Sequence, residues 1–104
     1  FDFPDAGSVL EKLNEELTEV KGAVAENNPA HIEEEIGDLL LTVTSLARKT
    51  GIDPEQALSK ATNKFIDRFE TMEEEATARG QSLSVLPAKE LEKLWENAKK
   101  SHKT

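Results

Sequence analysis

"EELTEVKGAVAENNPAHIEEEIGD", residues 15–38, is the stretch on which the fold turns. It holds two acidic clusters, Glu15/Glu16/Glu19 and Glu33/Glu34/Glu35/Asp38, on either side of an Asn27–Asn28–Pro29 break. Asn is a favoured helix N-cap and Pro a favoured first helical residue, so one helix ends here and another begins. Upstream, Leu10, Leu13, Leu17, Val20 and Val24 recur at three- and four-residue spacing. That period predicts an amphipathic helix from about Gly7 or Ser8 to Glu26. Downstream, Ile32, Ile36, Leu39, Leu40, Val43, Leu46 and Ala47 mark a second helix. Leu41 falls almost opposite that stripe, so beyond Asp38 this helix is apolar on two sides. A central helix, or one shared with another subunit, is the expectation.

Further along, Gly51 suits a helix C-cap, and "DPEQ" offers Asp53 as N-cap, Pro54 at the first position and Gln56 as capping-box partner. A third helix is expected to reach about Arg79, with Gly80 closing it and Leu58, Ala61, Phe65, Phe69 and Met72 as its core stripe. After a loop ending near Pro87, a short helix carries Leu91, Leu94, Trp95 and Ala98. No stretch alternates as a strand would, and no internal repeat stands out. The expected fold is all-α, a four-helix-type bundle in one domain over residues 1–104.

Composition narrows the function classes. A chain of 104 residues buries a modest core. The absence of Cys removes disulfides and thiolate metal sites and makes a reducing cytoplasm the default compartment. No apolar run nears the ~20 residues a membrane span needs; Leu39–Val43 is short and follows acids. No signal peptide is visible, and the absence of an initiating Met before "FDFPD" suggests a fragment of a longer chain. A formal net charge of −8 argues against a nucleic-acid polymer, whose binding rests on cationic contacts to phosphate. It leaves a nucleotide open, because bound divalent cations invert the sign of an acidic site.

Only Lys21 accompanies the eight acids of the opening stretch. Residues three or four apart on a helix are neighbours, so Glu16 stacks on Glu19 and Glu35 on Asp38. At 100° per residue, Glu16 lies about 70° and Glu35 about 80° from the centre of its stripe, at the border of core and solvent. If the two helices pack antiparallel, the pairs face each other and repel unless a cation joins them. Hard oxygen donors without His or Cys select Mg2+ or Mn2+ over zinc or copper. The di-iron bundle pattern is excluded, since neither His31 nor His102 has its Glu-x-x-His spacing. The competing reading is a solvated acidic face, with Glu33 and Glu34 as helix-start acids and His31 as a surface residue.

In the third helix, "NKFIDRF" sets Lys64 and Arg68 four apart beside Phe65 and Phe69. Cations there can hold a polyphosphate, Arg by bidentate contacts and Lys as a point charge, or pair with Asp67 or Glu70 on the surface. Trp95 serves either core packing or stacking on a nucleobase.

Together these blocks resemble the MazG family of all-α nucleoside triphosphate pyrophosphohydrolases. That family's pattern of E-E-x-x-E, a spacer and E-x-x-D stands here as Glu15-Glu16-Leu-Thr-Glu19, fifteen residues, then Glu35-Ile-Gly-Asp38. "FDFPD", "KFIDRF" and "LEKLWENAKK" extend the likeness over nearly the whole chain, most closely to the catalytic second half of tandem-domain members. The one departure is Phe3, where Trp is common. The resemblance implies Mg2+-dependent hydrolysis of a nucleoside triphosphate to monophosphate and pyrophosphate. It implies magnesium ligation by Glu16, Glu19, Glu35 and Asp38, with Glu15 as a further catalytic candidate. Lys12, Glu15 and Glu34 then line the substrate site, Lys64 and Arg68 hold the triphosphate, and Trp95 contacts the nucleotide. It also implies a homodimer or higher homo-oligomer built through the second apolar face near Leu41. Two alternatives remain: a narrower pyrophosphohydrolase acting on dUTP, dCTP or phosphoribosyl-ATP, and a non-catalytic helical dimerisation module.

Overall fold

Asp5 opens the first helix, its carboxylate accepting a hydrogen bond from the Ser8 N–H at 2.8 Å. Helix α1 then runs over Ala6–Glu26, starting slightly earlier than the apolar period indicates because the cap, not the first Leu, sets its start. Asn27 ends α1 in the left-handed region at φ 60°, a conformation Asn tolerates better than most side chains. Asn28 follows as N-cap, its side-chain oxygen accepting from the N–H groups of Ala30 (3.1 Å) and His31 (3.3 Å). With Pro29 at the first position, α2 spans Pro29–Lys49. This computed structural model describes residues 3–101; Phe1 and Asp2 of the "FDFPD" block, and His102, lie outside the described residues.

The chain divides into two compact units, up to Glu55 and from Gln56 onward. In the first, the turn folds α2 back along α1. Partners meet in reverse chain order: Glu26 with His31, then Glu16 with Glu35 and Asp38, then Asp5 within electrostatic reach of Lys49. The pair is therefore antiparallel, as the short break predicts. Its buried seam is not the expected aliphatic stripe. Val9, Glu16 and Ala23 are buried on α1, and Glu35, Thr42 and Ser45 on α2, whereas Leu10, Leu17, Val24, Ile36, Leu40 and Val43 are exposed. The reason is local bonding. The Thr42 hydroxyl donates to the Asp38 carbonyl at 3.0 Å and the Ser45 hydroxyl to that of Leu41 at 3.2 Å, so neither needs a partner across the seam. Apart from Glu16 and Glu35, small residues line the contact and the larger aliphatics flank it. Leu41, at 65% exposure, leaves α2 apolar on a second side, as its position predicts.

In the second unit, α3 covers Pro54–Ala78 and α4 covers Ala88–Ser101, joined through a 3-10 turn at Leu83–Val85. Asp53 caps α3 by accepting from the Glu55 N–H at 2.9 Å. Gly51 and Gly80, at φ 74° and 70°, take the left-handed positions that follow α2 and α3. Met72 and Ala76 bury themselves against Leu94 and Ala98, with Leu83, Leu86, Leu91 and Trp95 packed around them. Of the predicted α3 stripe only Met72 is buried; Leu58, Ala61, Phe65 and Phe69 are exposed. At 1.5 Å per residue α4 is roughly 21 Å long and α3 roughly 38 Å, so α4 covers only the later part of its neighbour. Among the described residues there are four α-helices and no strand, confirming the all-α class. No helix among them is long and apolar enough to cross a membrane.

Candidate metal centre

The antiparallel α1–α2 pair brings the two acidic clusters together. Glu16, Glu35 and Asp38 each place a carboxylate oxygen within 4.8 Å of the others. Two of these acids are inside the protein: Glu16 is 5% exposed and Glu35 9%, while Asp38 is open to solvent. Glu16 thus sits deeper than the border position its helical phase implies, because the seam passes through it rather than through Leu13 and Leu17.

Each buried carboxylate is held in the same way. Lys12, one turn before Glu16, places Nζ 3.1 Å from Glu16 Oε1 and 3.6 Å from Glu15 Oε2. His31, one turn before Glu35, places Nε2 3.3 Å from Glu35 Oε1, and its Nδ1 lies 2.8 Å from Glu26 Oε2. The second oxygens, Glu16 Oε2 and Glu35 Oε2, are buried and have no hydrogen-bond partner. An anionic oxygen withdrawn from water without a partner costs more than a lost neutral hydrogen bond. Two of them beside a third carboxylate suit a cation with a preference for hard oxygen donors, and the side chains present can supply those donors.

The protonation of the surrounding groups follows the same crowding. The Glu19 carboxyl is pushed above the usual range, first by the close approach of the Glu35 carboxylate and then by the negative charges of Glu16 and Glu35. Lys12 is pushed up by its hydrogen bond to Glu16. The His31 imidazole is also raised, chiefly by its hydrogen bond to Glu26, with partial burial opposing.

Of the four ligands the resemblance implies, Glu16, Glu35 and Asp38 converge. Glu19 touches Glu35 but stands outside the mutually close set. Glu15 is exposed and paired with Lys12, and Glu34 is exposed. In the second unit, Lys64 is exposed. Arg68 lies over the Trp95 ring, its Cζ 5.5 Å from the centroid, with Nε buried and unpartnered. Trp95 also meets Phe65 at 5.5 Å between centroids, and Phe65 stacks on Phe69 at 6.1 Å. Sequence reasoning missed His31 and Glu26 as supports of Glu35. The four-residue spacing of His31 and Glu35 was the available signal, but it matches Lys12–Glu16 only once the helices are seen side by side.

Comparison with known proteins agrees with this geometry. Residues 5–72 match the MazG nucleotide pyrophosphohydrolase domain, a range that includes every carboxylate described above. The chain is 45% identical over 104 residues to the nucleoside triphosphate pyrophosphohydrolase/pyrophosphatase MazG of Thermotoga maritima, covering all of this chain and 40% of that protein. It is 37% identical over 102 residues to the nucleoside triphosphate pyrophosphohydrolase of Escherichia coli, covering 96% of this chain and 39% of that one. An uncharacterised Bacillus subtilis protein, YabN, is 35% identical over 73 residues, 70% of this chain and 15% of its own length. The chain thus spans about two fifths of the length of its two pyrophosphohydrolase relatives. A paired-carboxylate hairpin whose buried oxygens lack partners, inside a match of this extent, makes the chain a member of the MazG nucleotide pyrophosphohydrolase domain family.

Proposed function

We propose that the chain hydrolyses nucleoside triphosphates to the monophosphate and pyrophosphate, with Mg2+ as its cation and Mn2+ as a substitute. The observation that carries this reading is the pair of buried, unpartnered oxygens on Glu16 and Glu35 beside Asp38. An acidic face that was merely solvated would turn those oxygens to water.

Glu16, Glu35 and Asp38 are the ligands in this reading, and Glu19, whose carboxyl lies close to Glu35, is the fourth donor. A bound divalent ion supplies neutralisation of phosphate charge and a water of lowered pKa. Lys12 and His31 keep Oε1 of each buried glutamate occupied, and Oε2 of each has no protein partner, so Glu16 and Glu35 would have donor capacity free to hold an ion. Glu15 and Glu34, exposed and outside the ligand set, are the carboxylates able to take a proton from attacking water. Lys64 and Arg68 bind the triphosphate, stabilising charge on the departing pyrophosphate, and Trp95 holds the Arg68 guanidinium in place from one face.

A nucleotide panel incubated with magnesium tests the proposal. Release of pyrophosphate and monophosphate supports it, and release of orthophosphate, or no turnover on any nucleotide, overturns it. Turnover confined to dUTP, dCTP or phosphoribosyl-ATP would place the chain among narrower pyrophosphohydrolases.

A further inference from the structure

His31 is in an unusual place for a side chain whose two carboxylate neighbours favour its cationic form. It is the third residue of α2, where the helix dipole disfavours positive charge, so helix stability alone gives no reason for it. Yet both ring nitrogens are committed to carboxylates, Nδ1 to Glu26 Oε2 at 2.8 Å and Nε2 to Glu35 Oε1 at 3.3 Å. Glu26 is the last residue of α1, and the two-residue connection places it beside the first turn of α2. The chain Glu26–His31–Glu35 therefore ties the end of one helix to a buried acid on the other.

The other half of Glu35 shows what the tie achieves. With Oε1 engaged, Oε2 is buried and unpartnered, on a carboxylate that brings an oxygen within 4.8 Å of those of Glu16 and Asp38. On α1 the pattern repeats: Lys12 engages Glu16 Oε1 and leaves Glu16 Oε2 without a partner. A helical side chain leans toward its own N-terminus, so a residue four positions upstream meets the carboxylate from below and fixes its rotamer.

We propose that His31, anchored by Glu26, is a positioning residue that orients Glu35 for the cation; this rests on the reading of Glu35 as a ligand. Outer partners that orient a metal ligand are typically worth 10–100-fold in metal affinity.

The test is Mn2+ binding to the chain without nucleotide, followed by calorimetry and by the Mn2+ electron paramagnetic resonance signal. The wild-type chain should show a saturable site, and His31→Ala should weaken it within that 10–100-fold range. Glu26→Gln, which leaves His31 in place, should weaken it several-fold. His31→Lys, which reproduces on α2 the Lys12–Glu16 pairing of α1, should restore most of the loss. Melting in chelator runs alongside, because a purely structural link would lower the melting temperature of His31→Ala and leave its Mn2+ affinity unchanged. Wild-type Mn2+ affinity in both His31→Ala and Glu26→Gln would overturn the positioning role while leaving the cation site standing. A wild-type chain with no saturable Mn2+ site, indistinguishable from Glu35→Gln, would overturn the cation site itself and the positioning role with it.

Discussion

Substituting Glu16 by Gln should reverse the stability order of mutant and wild type according to whether a divalent cation is present. Glu16 and Glu35 are both buried and bring ligand oxygens within 4.8 Å of each other. At that distance two like charges repel by about 0.9 kcal/mol at the dielectric of water and about 3.5 kcal/mol at an effective dielectric near 20. Gln keeps the shape of Glu and removes the charge. The weakened Lys12 contact and the buried amide offset part of the gain, leaving a net stabilisation of about 1 kcal/mol in chelator, or about 4–8 °C in melting temperature for a domain of this size. With free cation at 100 times its dissociation constant, the wild type gains about 2.7 kcal/mol that the mutant lacks, so the order inverts. Circular-dichroism melts in chelator and in a magnesium series read both limbs. A Glu16→Gln chain that melts below wild type in chelator and shows no inversion with magnesium would mean that the carboxylate is a structural partner, not one half of a cation cage.

Asp38→Asn should keep the helical spectrum, since Asp38 is exposed and its backbone carbonyl, not its side chain, accepts from Thr42; pyrophosphate release should fall by at least 100-fold. Lys64→Ala, at an exposed position, should raise KM for the triphosphate and, because charge on the departing pyrophosphate loses a partner, lower kcat as well, both read from initial rates; an unchanged KM would count against its role. In chelator, the bridge from Glu26 through His31 to Glu35 should make stability fall as pH rises. The folded-state value of His31 is raised, so its contribution is complete below the unfolded value near 6.5 and disappears as pH climbs through the raised one. Glu19, also raised, acts with the same sign starting from about 4.5, and melts of His31→Ala should retain only that acidic limb.

Much of this site is local, and local features are legible. Asn27, Asn28 and Pro29 mark the helix break by their own backbone preferences, and the spacing of Glu16 to Glu19 and of Glu35 to Asp38 gives their stacking without any knowledge of packing. Burial was less legible. Hydropathy assigns the seam to Leu10, Leu17 and Val24, yet the seam runs through Val9, Glu16 and Ala23. Hydroxyls bonded back to their own helix at Thr42 and Ser45 count as polar in a periodicity argument and as small apolar groups in a packed one. Phe65 and Phe69 fail for another reason: they stack on each other and Phe65 meets Trp95 at one side, but no further apolar layer among the described residues of this unit covers them. His31 went unrecognised because a histidine four residues before a glutamate is commonplace, and only the depth of Glu35 and the position of Glu26 give the spacing meaning.

The two-residue turn also governs how the ligands are gathered. Glu16 and Glu35 are 19 positions apart, so one hairpin closure suffices to bring them together, without waiting for distant segments to dock. Lengthening that turn would be cheap in chain entropy, about 0.6 kcal/mol for each doubling of the loop. It would be dear in register, because a single added residue shifts Glu26 relative to His31 and slides Asp38 past Glu16. Tolerance to insertion should therefore be lowest at Asn27–Asn28, a surface loop where folded proteins usually accept extra residues without harm.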